Sequence, residues 1–290
     1  MSTPALRVDA VGPLVTIQDL GRSGFAALGV TSGGAADRTS LRRANRLVGN
    51  PEDVAGLEIL LGGLAVTAIC DVTVAMTGAP APITRNGVPM PTESPFGMHS
   101  GDRLTVGHAT VGLRCYLAIT GGIDAPALLG SRSSSPSMGI GPAPLAPGDV
   151  VATAAPRGLG ADEPAYGAWR TGPLTVVLVL GPRDDLFTPT SVDTLFGSWQ
   201  VTGDLDRVGV RLAGPVLALR DPSATLTSEG VVRGAVQVPP SGRPTVFLAD
   251  HPVTGGYPVI GVVRDGDTDA IAQLRPGDEV RFRRRPSPWR

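Results

Sequence analysis

Residues 228–263 read SEGVVRGAVQVPPSGRPTVFLADHPVTGGYPVIGVV, and the fold class follows from how this stretch is built. Residues 235–238 and 245–249 are short runs rich in β-branched and apolar side chains, separated by Pro239, Pro240, Ser241 and Gly242. Proline presets one turn torsion and glycine takes torsions that other residues resist, so the two runs are expected to pair as a hairpin. Thr254, Gly255, Gly256 and Tyr257 then precede another apolar run. Adjacent glycines at such a place either make a tight turn between strands or, with positive φ, bring backbone N–H groups close to a ligand as an anion or carbonyl cradle.

The same grammar extends outward. With 290 residues and 42% hydrophobic content the chain can bury a sizeable core, as one large domain or two small ones, and its 39 glycines and 28 prolines favour a turn-rich β protein. A formal net charge of −1 without a basic or acidic block argues against nucleic acid as a partner. No run of about 18 apolar residues and no signal-peptide pattern is present, so a cytoplasmic chain without a membrane partner is expected. Cys70 and Cys115 are too few for a disulfide framework and read as buried free thiols, and His99, His108 and His251 stand isolated, so no metal site is expected. Neither a G-x-S-x-G elbow nor a Cys close to a His supports a self-contained triad hydrolase. All 25 basic side chains are arginine. Without lysine there is no ordinary phosphate-binding P-loop and no Schiff base.

In chain order, residues 15–17 read as a strand leading into the glycine-broken polar loop QDLGRSG at 18–24. Asp19 and Arg22 either pair with each other there, or Arg22 offers its planar donor fork to a substrate carboxylate while Asp19 orients it. Asp37 is a good helix cap; Leu41, Ala44 and Val48 recur at helical spacing until Gly49, and Arg38, Arg42, Arg43 and Arg46 read as a solvated surface. Asn50, Pro51, Glu52 and Asp53 predict a second short helix, and Glu58 in the apolar run 57–61 carries no assigned role. From 64 to 119 the pattern is β, with a hairpin at Asn86 and Gly87. LAPGD at 145–149 and LRPGD at 274–278 suggest two similar units that close with the same turn. The serine-rich stretch 130–136 reads either as an active-site edge or as a mobile loop, the latter preferred, and 152–172, rich in Ala, Gly and Pro, as a linker anchored by Trp169. Many short strands and few helices predict a mainly β chain of two barrel-like units, divided as 1–155, a linker at 156–172, and 173–290.

A family resemblance runs through both halves. SEG, GAVQVPPSG and TGGYP, then AQLRPGD at 272–278, together with TIQDLGRSGFAALGV and GGAADRTSLRRANRLVGNPEDVAGLEILLGG near the start, resemble the KipA family. This family is also called allophanate hydrolase subunit 2 or biotin-dependent carboxyltransferase, and its members are read as the C-type subunit of prokaryotic 5-oxoprolinase. DRVGVRL at 206–212 is similar to a family word that ordinarily has methionine where Val208 stands. The resemblance implies two linked cyclophilin-like β-barrel domains. It implies a subunit of an ATP-dependent enzyme that opens 5-oxo-L-proline to glutamate, inactive without KipI-like and LamB/YcsF-like partner subunits. ATP would be a co-substrate of the complex, not necessarily bound by this chain. Asp19, Arg22, Glu229 and Asp250 would then be catalytic, and Arg207, Gln237, Thr254, Gly255, Gly256 and Tyr257 would bind substrate around one cleft. A carboxyltransferase unit of the urea carboxylase or urea amidolyase type, using biotin carried by another protein, is the alternative enzyme class; a non-catalytic KipI-binding regulator is the third reading.

Overall fold

The computed structural model describes residues 2–155, 169, 172–223 and 225–285. It divides into two compact units, Met1–Arg22 with Gly33–Trp169, and Ser23–Ser32 with Arg170–Arg290. The sequence reading put all of 1–155 into the first unit; the structure groups Ser23–Ser32 with the second, where the Thr31 hydroxyl donates to Ala249 O at 3.3 Å. Most of the expected linker, 156–168 and 170–171, lies outside the described residues. Trp169 packs against the core of the first unit.

The chain is mainly β, with three short α-helices among the described residues. In the second unit seven strands close a barrel in the order Leu174–Leu180, Val259–Val263, Ala235–Gln237, Thr245–Phe247, Gly209–Ala213, Ser198–Leu205, Glu279–Arg284. Every pairing is antiparallel except the seam, where Leu174–Leu180 runs parallel to Glu279–Arg284. The hairpin expected from the opening stretch is there, with Val236 opposite Val246. Its turn is closed by Gly242 N donating to Pro239 O at 2.9 Å, and Gly242 has φ 70°. Alternation turns Leu174, Val176, Leu178, Val210, Leu212, Val236 and Val246 inward, and all are buried.

In the first unit the strands fall into two hydrogen-bonded sheets that share one core. The six-stranded sheet has the order Val150–Thr153, Thr3–Ala10, Ala65–Ala68, Arg103–Val106, Ile83–Arg85, Val88–Met90. The five-stranded sheet has the order Leu14–Gln18, Gly56–Leu60, Arg114–Ile119, Val72–Gly78, Pro95–Met98. Leu6, Val8, Val66 and Leu104 of the first sheet belong to the same buried cluster as Val15, Leu57, Ile59, Met76 and Leu117 of the second.

The helix Arg38–Leu47 lies against the five-stranded sheet, its Leu41, Ala44 and Leu47 clustered with Ala75, Tyr116 and Ala118. Asp37 caps it by accepting from Ser40 N at 2.9 Å, and Gly49 follows it with φ 74°. Arg43, expected on a solvated face, is only 6% exposed and forms an ion pair with Glu93. The second short helix does not form. Asn50 is drawn away from a capping role: its Nδ2 donates to Asn45 Oδ1 at 3.1 Å and to Ile119 O at 2.8 Å, and its Oδ1 accepts from Gly121 N at 2.8 Å. Residues 50–55 are left as a single turn.

A Gly-Asp turn of one geometry recurs three times among the described residues. At Asp102, Asp149 and Asp278 the carboxylate accepts from the backbone N–H three residues earlier, of His99, Ala146 and Arg275, at 2.8 to 2.9 Å. The preceding Gly101, Gly148 and Gly277 have φ of 91°, 99° and 91° and donate to a neighbouring strand at Ala68, Val8 and Val201. The turn at Asp102 has Ser100 where the other two have proline; the full L-x-P-G-D word occurs once in each unit, directly before Val150–Thr153 and Glu279–Arg284, the last described strand of each, as the sequence suggested. Cys115 is buried as expected, whereas Cys70 is only half-buried. No helix is long and apolar enough to cross a membrane, among the described residues.

Candidate functional site

The expected site residues are not gathered around one cleft by the contacts seen: Asp19 and Arg22 meet in the first unit, while in the second Arg207 pairs with Asp250 and Glu229 lies with Gln237 and the 254–257 segment. In the first unit, strand Leu14–Gln18 ends at Asp19, whose carboxylate is a hub for the serine-rich segment. Oδ1 accepts from Gly21 N at 2.7 Å, from Ser131 Oγ at 2.6 Å and from Ser133 Oγ at 2.5 Å, while Oδ2 accepts from Arg132 N at 2.6 Å. Asp19 N in turn donates to Ser133 Oγ at 2.9 Å. Arg22, 2% exposed, directs Nε to Leu128 O at 3.3 Å and Nη2 to Ser133 O. Asp19 and Arg22 are therefore brought together through Ser133, and at least two donors of the Arg22 fork go to main-chain carbonyls. The expectation of a mobile serine loop is overturned, since Ser131, Ser133, Ser134 and Ser135 are all fully buried. The Ser131 and Ser133 hydroxyls and the Ser133 carbonyl help to satisfy two buried charged side chains, Asp19 and Arg22.

Beside this hub runs a polar row that sequence reasoning missed. Thr16, Glu58, Tyr116 and Thr77 stand opposite one another across four strands, on the face away from the core. Glu58, 4% exposed, accepts from the Tyr116 hydroxyl at 2.7 Å and from Ala36 N at 2.9 Å, with Arg114 Nε at 3.6 Å. Asp37 N donates to the Tyr116 oxygen at 2.8 Å. Burial, then the neighbouring charges of Glu58 and Asp37, push the phenol well above its ordinary range, so its proton stays and is held by Glu58. The signal for Glu58 was an acid within an apolar run, which is tolerated in a core only when paired.

In the second unit Arg207 and Asp250 form a fork-to-fork ion pair, Nε to Oδ2 at 2.9 Å and Nη2 to Oδ1 at 3.0 Å, with both side chains buried. Asp250 N also donates to Arg207 O at 2.9 Å. Glu229 instead meets Arg183, whose Nε lies 3.0 Å from Oε1 and 3.1 Å from Oε2. This pair is open to solvent, with side chains 39% and 31% exposed for Arg183 and Glu229. The Arg183 hydrogen bonds hold the Glu229 carboxyl below the usual range, and the same contact raises the guanidinium. Arg183 was not singled out from the sequence, although it stands in the charged run directly after strand Leu174–Leu180, where loops place functional side chains.

Glu229–Gly230 pairs with Thr254–Gly255, setting Glu229 opposite Gly255. Gln237, from the barrel, donates through Nε2 to Tyr257 O at 3.1 Å. Glu229, Arg183, Gln237 and the 254–257 segment thus share one region, with Thr254 and Tyr257 exposed at its surface. Neither Gly255 nor Gly256 has a positive φ, which corrects that expectation. Glycine is needed at 255 for space: a Cβ would come within 2.4 Å of Gln237 Nε2, whereas at Gly256 the nearest atom is Ser228 Oγ at 3.9 Å. Gly255→Ala is accordingly expected to displace the Gln237 amide, with a stability loss of about 1–3 kcal/mol. Gly256→Ala is the control, and equal losses for the two in parallel melting measurements would contradict the spacing argument.

Comparison with known proteins agrees over nearly the whole chain. Residues 28–284 match the model of the carboxyltransferase domain, subdomain A and B. The chain is 35% identical to the C subunit of 5-oxoprolinase from Escherichia coli K12, covering 96% of this chain and 90% of that one. Among solved structures, TTHA0988 superposes with a TM-score of 0.88 at 34% identity, and the Kluyveromyces lactis urea carboxylase with 0.90 at 30%. Each covers 97% of this chain, which spans 55% of the TTHA0988 chain and 27% of the urea carboxylase. A family model that takes in both units, and relatives above 30% identity along their length, lead to one conclusion: the chain belongs to the carboxyltransferase-domain family.

Proposed function

We propose that this chain is the C-type subunit of an ATP-dependent 5-oxoprolinase, opening 5-oxo-L-proline to glutamate together with KipI-like and LamB/YcsF-like subunits. The observation that carries the reading is the match to the C subunit of E. coli 5-oxoprolinase, which extends over nearly all of both chains. An unstrained lactam resists hydrolysis, and ATP supplies the activation of its carbonyl. With no lysine in its sequence the chain lacks the residue of an ordinary P-loop, so ATP is a co-substrate of the complex. Arg183, partly exposed beside Glu229, is the guanidinium best disposed to hold the substrate carboxylate; Arg22, directed at Leu128 O and Ser133 O, keeps the serine segment in place. Glu229, held ionised by Arg183, orients that fork, and Gln237 positions the 254–257 segment. The buried Arg207–Asp250 pair supports the surrounding backbone.

The test is ATP-dependent glutamate formation from 5-oxoproline, measured on the chain alone and with its partner subunits. Turnover is expected with partners only. Within that complex Arg183→Lys should raise KM about tenfold with kcat less affected, because an ammonium cannot reproduce a two-pronged contact worth about 1.5–3 kcal/mol. An unchanged KM removes Arg183 from the site. The likeness to K. lactis urea carboxylase supports a second reading, carboxyl transfer from biotin carried by a partner, since this chain has no lysine to bear biotin. Carboxylation of a small amide by the complex only when a biotinylated carrier is added would favour it.

A further inference from the structure

The outer face of the five-stranded sheet ends in polar atoms that no described residue satisfies. Strand alternation sends Val15 and Ile17 into the core and Thr16 and Gln18 to the opposite face. Gln18 is fully buried, and its Nε2 donates to Thr16 Oγ1 at 3.0 Å and to Ser134 O at 2.9 Å. A backbone carbonyl can only accept, so the nitrogen of the amide must face Ser134 and the oxygen must face away. That oxygen, Oε1, is buried without a hydrogen-bond partner among the described residues, as are Ser134 Oγ and Ser135 Oγ. Both serines are fully buried. Buried polar atoms are almost always paired, and three such exceptions on a glutamine and the serines beside it are too many to leave without a cause.

We propose that Gln18 Oε1 and the Ser134 and Ser135 hydroxyls form an internal subsite for the edge of a ring amide. This rests on the 5-oxoprolinase reading and deepens it. The protein side offers one acceptor of fixed orientation and hydroxyls free to rotate into donors. The complement is an N–H beside a hydrogen-bond acceptor on one edge of a small molecule. A five-membered lactam has that edge because its amide is locked cis; an open-chain trans amide points the two groups in opposite directions. Asp19 and Arg22 hold the serine segment from its other side through Ser133, so the subsite is organised by the same hub. Because the three atoms are buried, a ligand reaches them only when the serine segment opens against the hydrogen bonds that hold it to Asp19 and Arg22.

The probes are 2-pyrrolidone, which has the cis N–H and C=O edge, and N-methyl-2-pyrrolidone, which lacks the N–H. Their binding to the purified chain is measured by saturation-transfer NMR and calorimetry. Binding of 2-pyrrolidone is expected, with the N-methyl compound at least about tenfold weaker, because a site built around an acceptor rejects a ligand that leaves it unpaired. Gln18→Met should abolish that preference while Tm stays near wild type; Ser135→Ala gives a second reading should Gln18→Met not fold. Equal binding of the two compounds, or a crystal of the chain soaked in 2-pyrrolidone showing only water among the three atoms, overturns the subsite. In the assembled enzyme, Gln18→Met with an unchanged KM for 5-oxoproline overturns the subsite and leaves the function standing. A complex that never turns over 5-oxoproline, built on a chain that still shows N–H-dependent lactam binding, overturns the function and leaves the subsite standing.

Discussion

Arg207→Met is expected to destabilise the second unit by about 3–5 kcal/mol, because it leaves the Asp250 carboxylate buried without its guanidinium. The two side chains meet in parallel hydrogen bonds of 2.9 and 3.0 Å, and neither is open enough for water to substitute. At a few degrees per kcal/mol for a unit of this size, Tm should fall by roughly 10 °C or more. The double variant Arg207→Met with Asp250→Leu should recover most of that loss, since removing both charges removes the desolvation cost as well. Thermal and urea unfolding of the single and double variants decide the matter. A single variant within about 1 kcal/mol of wild type would mean that water reaches the carboxylate. Activity lost in the double variant despite recovered stability would give the pair a part in the chemistry beyond support.

The second large effect is expected at Asp19. Asp19→Ala removes the acceptor for Gly21 N, Arg132 N and the hydroxyls of Ser131 and Ser133 at once. Each buried donor left unpaired costs about 1–3 kcal/mol, and partial rearrangement should bring the total to about 3–5 kcal/mol. Asp19→Asn should fall between the two, because a carboxamide presents an NH₂ group where only donors point. Denaturant unfolding measures the loss, and limited proteolysis reports where it falls, with new cleavage expected at 130–141. If Asp19→Ala keeps both its stability and its resistance to cleavage, the serine segment is held by packing and not by the carboxylate.

These two expectations show where sequence reasoning carried and where it stopped. The strands, the 235–247 hairpin, the Asp37 cap and Gly49 at the helix end were legible because each depends on neighbours within a few residues. The helix predicted at Asn50 failed because the Asn50 amide is taken by Ile119 O and Gly121 N, some 70 residues away. The serine segment read as mobile for the same reason: its partner Asp19 is 112 to 114 positions distant, and nothing local announces it. Arg43 looked like one more surface arginine until Glu93 covered it.

By itself the sequence determined that this is a turn-rich β protein without lysine chemistry, because composition, strand alternation and turn residues act locally and do not depend on what folds against them. It also pointed to residues around 19–22 and 229–257 as places where charge and glycine gather. Only the tertiary structure decided what those charges do: Arg207 and Asp250 neutralise each other, Arg22 is directed at main-chain carbonyls, Glu229 turns to an Arg183 that no motif had marked, and Glu58 joins a buried tyrosine. The physical reason is that the role of a polar side chain is set by the partner that compensates its desolvation, and that partner comes from another strand.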